Sequence, residues 1–231
     1  NAIDILEAVN NLGSEAERVI SLSQKYNLIH DKMEAKNLCG ILKVVNELGP
    51  DVEKIINLSL KCTNLINNIR SYHALADLLN QVKNLGPDAE KIISLSQQYN
   101  LIQNQRTFAI CRVLREVKNL GADAERVISL SQKYNLTHDK MNAMKLCDIL
   151  KVVKKLGSEA EGVIHLSLQY KLIRDDMTGE HIGQILQAVA EVGPNAENLI
   201  EGGQGRIKDN TSPNRIITIL RGFNLSKGKS S

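Results

Sequence analysis

Apolar residues recur at helical spacing in one stretch of the chain after another, and each stretch runs into Leu-Gly or Val-Gly. Leu38, Ile41, Leu42, Val45 and Leu48 precede Gly49, and Leu146, Ile149, Leu150, Val153 and Leu156 precede Gly157. Such spacing lays one apolar stripe along a helix of period near 3.6 and predicts a helix A before each Gly. Gly itself fits a helix C-terminus that needs positive φ, which it adopts without a Cβ penalty. Directly behind it stand Pro50-Asp51, Pro87-Asp88, Ala122-Asp123 or Ser158-Glu159. Pro at a first helical position leaves no N–H unpaired and a carboxylate there meets the positive dipole end, so helix B is predicted to start at that point. It runs through Ala124, Val127, Ile128, Leu130 and Tyr134, and a looser stretch such as Asn135 to Lys140 leads to the next helix A.

The pattern is periodic. Gly13, Gly49, Gly86, Gly121, Gly157 and Gly193 are 36, 37, 35, 36 and 36 residues apart, the signature of a stacked repeat array. Residues 11 to 25 (NLGSEAERVISLSQK) and 119 to 133 (NLGADAERVISLSQK) carry nearly one phrase, and Gly13 to Leu48 resembles Gly121 to Leu156 more than its neighbours, so a three-repeat block was duplicated as a unit. Neither helix hides its stripe alone, and the hairpins must stack. The expected fold is all-α: an α-solenoid superhelix of about six two-helix repeats over residues 1–201, a Gly-rich polar connection over 202–213, a closing helix over 214–225 carrying Ile216, Ile219, Leu220 and Phe223, and a frayed tail over 226–231. Residue 1 is Asn and enters in mid-pattern, as a processed or trimmed terminus would.

Composition fits such an array. The 231 residues are 42% hydrophobic but only 3% aromatic, without Trp, which supplies an aliphatic core and little aromatic payload. No run reaches the eighteen or so apolar residues of a membrane span and no secretory signal stands out, so a location inside a cell is expected, cytoplasmic or delivered to a host cell or organelle. Unpaired thiols agree with a reducing compartment. Cys39, Cys111 and Cys147 share one repeat position, ten before the Gly, where other copies have Ala76 and Gly183, and Cys62 stands where others have Tyr26, Tyr99, Tyr134 and Tyr170. They read as small hydrophobes rather than a metal set. The His are dispersed, and Ser23, Ser59, Ser96, Ser131 and Ser167 recur in helix B without a His base beside them. With no Gly-rich phosphate loop either, neither an enzyme nor a cofactor or metal is expected.

What varies between copies carries more information. Six before the Gly stand Glu7, Lys43, Asn80, Arg115, Lys151 and Gln187, and nine before it Asp4, Gly40, Asp77, Arg112, Asp148 and Gln184. Three and two before it stand Asn10-Asn11, Asn46-Glu47, Lys83-Asn84, Lys118-Asn119, Lys154-Lys155 and Ala190-Glu191. These positions share one side of helix A and form a ladder with one rung per repeat. Solvated surface is the plain reading of it, and the face that meets a linear ligand is the functional one. Asn, Lys and Arg are side chains that pair with base edges, and one repeat per nucleotide is a known solution.

The unit Ile149-Leu150-Lys151-Val152-Val153-Lys154-Lys155-Leu156-Gly157 resembles octotricopeptide-type RNA-binding repeats, and the hairpin is also similar to transcription-activator-like effector DNA-binding repeats. Both resemblances imply a non-catalytic array that reads nucleic acid base by base along a superhelical groove, with Asn10, Asn11, Lys43, Asn46, Glu47, Asn80, Lys83, Asn84, Arg112, Arg115, Lys118, Asn119, Lys151, Lys154 and Lys155 as its contacts. Effector repeats carry two consecutive Gly after their variable pair, whereas here Leu or Val precedes a single Gly; where they bring Lys and Gln toward phosphate, this chain has Asp51, Asp88, Asp123 and Glu159. Net charge is only +3, though Arg106, Arg112, Arg115, Lys118, Lys145, Lys151, Lys154 and Lys155 gather on helix A. The alternative is a tetratricopeptide-like scaffold for a protein or peptide, for which Asp77, Asp148 and Glu191 speak.

Overall fold

A computed structural model describes residues 2–30, 33–62, 72–103, 105–138, 141–208 and 210–227. The chain divides into two compact units, Asn1–Lys118 and Asn119–Ser231. The first holds α1 (Ala2–Leu12), α2 (Ala16–Lys25), α3 (Ala35–Glu47), α4 (Val52–Cys62), α5 (Tyr72–Leu85), α6 (Ala89–Gln98) and all but the end of α7 (Thr107–Leu120). The second holds α8 (Ala124–Lys133), α9 (Ala143–Leu156), α10 (Ala160–Gln169), α11 (Gly179–Val192), α12 (Ala196–Gly202) and α13 (Pro213–Lys227). Odd numbers through α11 are the predicted A helices and even numbers the B helices. No strand occurs among the described residues. The stretch expected to fray begins inside α13, and residues 228–231 lie outside the described ones, as do Asp139 and Lys140 of the expected loose stretch.

Each turn Gly has φ between +56° and +74°. At Gly193 φ is 72° and ψ −152°, a combination that side chains other than Gly do not tolerate. A Cβ there would meet nothing within 4 Å, so the backbone angle rather than space requires Gly. Helix B does not start directly behind it. A three-residue 3-10 turn intervenes, as in Gly121–Asp123, closed by the Ala124 N–H donating to the Gly121 carbonyl. Pro50, Pro87 and Pro194 occupy this tighter turn, a common device at helix starts that pairs N–H groups early. The A helices of α9 and α11 begin on side-chain caps: Asn142 Oδ1 accepts from Lys145 N at 2.9 Å and Thr178 Oγ1 from His181 N at 3.2 Å.

The B helices end on a motif that the loose reading of Asn135 missed. Asn27, Asn100, Asn135 and Lys171 have φ of 51–53°, and the following Leu donates five residues back: Leu136 N to Ser131 O at 2.8 Å, with Asn135 N to Gln132 O at 2.9 Å. This is a Schellman end, and Asn enters the left-handed region more readily than other side chains. Ser131 is fully buried, its Oγ donating to Val127 O at 2.7 Å, and Ser23, Ser59, Ser96 and Ser167 repeat that bond to the fourth carbonyl back. The recurrent serines are packing residues with satisfied hydroxyls.

Within the first unit α1 packs on α3, α3 on α5 and α4 on α6; within the second α9 packs on α11 and α11 on α13. The terminal helix therefore takes the place that the next A helix would hold. Leu146, Ile149, Leu150 and Val153 are buried along the α9 stripe, as are Ile41, Leu42 and Val45 on α3. A Cβ on Gly183 would stand 2.7 Å from Val152 Cγ2, a close approach that accounts for Gly, Ala or Cys ten before the turn in copies two to six; the first copy has the exposed Ile3 there. Cys147 is fully buried there, whereas Cys39 and Cys111 are half-buried.

Candidate functional site

The expected ladder divides into two classes of residue. Lys83, three before Gly86, donates its Nζ to the Glu47 carbonyl at 2.7 Å; Lys118 donates to the Asn84 carbonyl and Lys154 to the Asn119 carbonyl, each at 2.5 Å. In every case the acceptor is the backbone two before the turn Gly of the preceding copy. An ammonium at the negative end of a neighbouring helix satisfies a carbonyl that the helix itself leaves open. These three lysines are thus fastened to the frame, and the sequence signal for it is the recurrence of Lys at this position in three consecutive copies. Lys155 turns to Gln187 Oε1 at 3.2 Å, and Lys43 lies 4.0 Å from Glu47 on its own helix.

These lysines are themselves exposed, and most of the remaining ladder is on the surface as well. Asn10, Asn11, Glu47, Asn80, Asn84, Arg115, Asn119 and Lys151 are exposed, and Asn46 is half-buried. Arg112 is half-buried, and in the same row a Cβ on Gly40 would collide with the Tyr72 ring at 2.6 Å, so the row nine before the turn is partly covered by the next A helix. The row six before it is open at Glu7, Lys43, Asn80, Arg115 and Lys151 and half-covered at Gln187.

The B helices carry a second set of bonds. Glu161 at the start of α10 accepts from Lys133 Nζ at 2.5 Å and Tyr134 Oη at 3.2 Å, both from the end of α8, and Glu53 likewise accepts from Lys25 and Tyr26. Lys133 also stands 5.3 Å over the Tyr134 ring. The hydrogen bond from Lys133 holds the Glu161 carboxyl below its ordinary 4.5, and the same bond raises Lys133 above 10.5. Lys61 pairs with Glu90 at 3.4 Å in the same register. Glu53, Glu90 and Glu161 are therefore each paired with a lysine of the preceding copy, whereas Glu125 and Glu197 have Gln98 and Gln169 at the donor position.

No group of three or more His, Cys, Asp and Glu is placed to hold a metal ion among the described residues. Burial pushes the Cys62 thiol up to about 12, helped by the neighbouring Cys111, and burial with Asp77 pushes Cys111 up to about 11, so both stay protonated near neutrality and are poor nucleophiles. No helix among the described residues is long and apolar enough to cross a membrane. Comparison of the chain with family models, curated proteins and solved structures returns no match.

Proposed function

We propose that the chain is a non-catalytic recognition scaffold: an α-solenoid of six stacked hairpins closed by α13 that binds an extended polypeptide of mixed charge along the exposed side of its A helices. The observation that carries this reading is the fastening of Lys83, Lys118 and Lys154 to backbone carbonyls, which keeps their charge but ties three ladder ammonium groups to the preceding copy and limits their reach toward a phosphate backbone. Lys25, Lys61 and Lys133 of the B helices are likewise paired with Glu53, Glu90 and Glu161. The exposed row of Glu7, Lys43, Asn80, Arg115 and Lys151 carries both signs and suits side chains of a peptide better than a phosphate backbone.

Base-by-base nucleic-acid binding is the second reading, favoured by the exposure of Arg115 and Lys151 at the same position of two copies. One titration separates them. Wild type and the Arg115→Glu/Lys151→Glu double variant are titrated against a mixed-charge peptide library and against random DNA and RNA pools at two salt concentrations. The scaffold reading expects selected peptides to lose about tenfold in affinity on charge reversal, with neither pool retained at the higher salt. Retention of DNA or RNA by the wild type, falling steeply with salt and abolished in the variant, gives the array to nucleic acid instead.

A further inference from the structure

The repeat pattern contains its own reference for what belongs between two copies, and at one place three parts are missing together. Between copies four and five, Arg126 donates Nε to Asp123 Oδ1 at 3.3 Å and Nη1 to the Gly157 carbonyl at 3.0 Å, Lys154 caps α7, and Lys133 meets Glu161. Between copies five and six the counterparts of these three cations are Gly162, Ala190 and Gln169. All three line an open cavity of about 650 Å³. The partners of the absent cations are still in place around it: Glu159 stands for Asp123, Gly193 for Gly157 and Glu197 for Glu161. The position of Gly162 holds Arg18, Lys54, Lys91 and Arg126 in the first four copies and Asn198 in the sixth, so the cavity has room and acceptors for a basic side chain that this copy lacks.

We propose that this cavity is the seat of an arginine side chain supplied by the bound polypeptide. The guanidinium takes the place of Arg126 one copy later, pairing with Glu159 and the second lone pair of the Gly193 carbonyl, whose first is used by Ala196 N–H. Glu197 on the far side adds a second carboxylate, and Val163, Leu166 and Val189 receive the methylene stem. The fork of arginine matches two acceptors set in different directions, as it does in Arg126, where the point charge of lysine does not. Lys155, the cation at the end of α9, is engaged with Gln187. Negative potential at this end is registered by Tyr170, whose hydroxyl is held above its ordinary 10.0 by burial first and then by Glu201 and Glu197.

The assignment rests on the polypeptide reading and is tested apart from it. N-acetyl-arginine amide, the lysine amide and the neutral citrulline amide are each titrated into the full chain, followed by amide chemical shifts and by melting temperature. Arginine amide should raise the melting temperature and shift the amides of Gly162 and Gly193, with at least about tenfold weaker binding for citrulline amide and for Glu159→Gln. Gly162→Arg, at a position where a Cβ meets nothing within 4 Å, fills the seat from within; it should melt higher than wild type and lose the response to arginine. Gly162→Ala leaves the seat open and should keep it, which separates filling from a general gain in helix stability. Equal response to citrulline and arginine, or an undiminished response in Gly162→Arg, overturns the seat while leaving the scaffold to be judged by arginine-free peptides in the library titration.

Discussion

Two neighbouring seams of the second unit are built on one frame and filled differently. Where α8 and α10 meet, Lys133 and Tyr134 close on Glu161, Arg126 spans from Asp123 to Gly157, and Lys154 holds the end of α7. Where α10 and α12 meet, Gln169, Gly162 and Ala190 leave the same acceptors facing an open cavity. The backbone hardly registers the change: Gly157 has φ 59° and ψ −126°, Gly193 φ 72° and ψ −152°, and each is followed by a 3-10 turn. The lesson is a division of labour. Glycine, the Schellman ends and the aliphatic stripes hold the copies together, and the charged bridges are an addition that a copy can omit without losing its shape.

If that division is right, the largest effect comes from the shared frame. Gly157→Val and Gly193→Val should each lower unfolding free energy by about 2–3 kcal/mol, nearly alike in the bridged and the open seam, because a β-branched residue is forced into backbone that only Gly adopts freely. Urea unfolding midpoints check it; a mild Gly193→Val beside a severe Gly157→Val would mean that the bridges, not the turn, determine the cost.

A smaller effect of opposite sign concerns Thr137, in the loop between α8 and α9. It is 3% exposed and its Oγ1 finds no hydrogen-bond partner, while the corresponding positions hold Ile29, Ile102 and Ile173. Thr137→Val removes a buried unsatisfied hydroxyl and should stabilise by about 1 kcal/mol, read as a higher melting temperature. An unchanged value would show that the hydroxyl is satisfied in solution.

The smallest effect depends on pH. The carboxyl of Glu161 is depressed, so its pairing contributes stability above the ordinary 4.5, and this is lost as pH falls through the folded value; Lys133 is raised, so its share is present below 10.5 and lost as pH climbs through its own folded value. Lys133→Gln copies the open seam into the bridged one. Wild type should exceed it in melting temperature near neutrality, and the two should converge as pH falls below 4.5 and through the folded value of the carboxyl.

The helices themselves were legible in the chain, since the stripes of α3 and α9 and the Gly period follow from spacing alone. The Schellman ends were legible in principle, in the Asn that precedes Leu28, Leu101 and Leu136, but polar residues between helices read as loop until the backbone shows their positive φ. The ladder was half legible. Spacing placed Lys83, Lys118 and Lys154 on one side of helix A correctly, yet a lysine reaches far enough to serve a carbonyl of the preceding copy, and periodicity within one helix does not say which way it reaches. Thr137 stands out in the sequence against Ile29, Ile102 and Ile173, but the missing partner of its hydroxyl depends on how the loop folds around it.

The lysine-to-carbonyl bond also bears on how such a chain grows. Its donor lies three before the turn and its acceptor two before the turn one copy back, so copies three to five each carry one half of the bond facing forward and the other facing backward. Copies one and two hold Asn10 and Asn46 in the donor place and copy six holds Ala190, so the bond is an option of the frame and not a condition of joining. A block copied in frame therefore meets its new neighbour through glycine turns and aliphatic stripes, and the ammonium latch is added where a lysine arises.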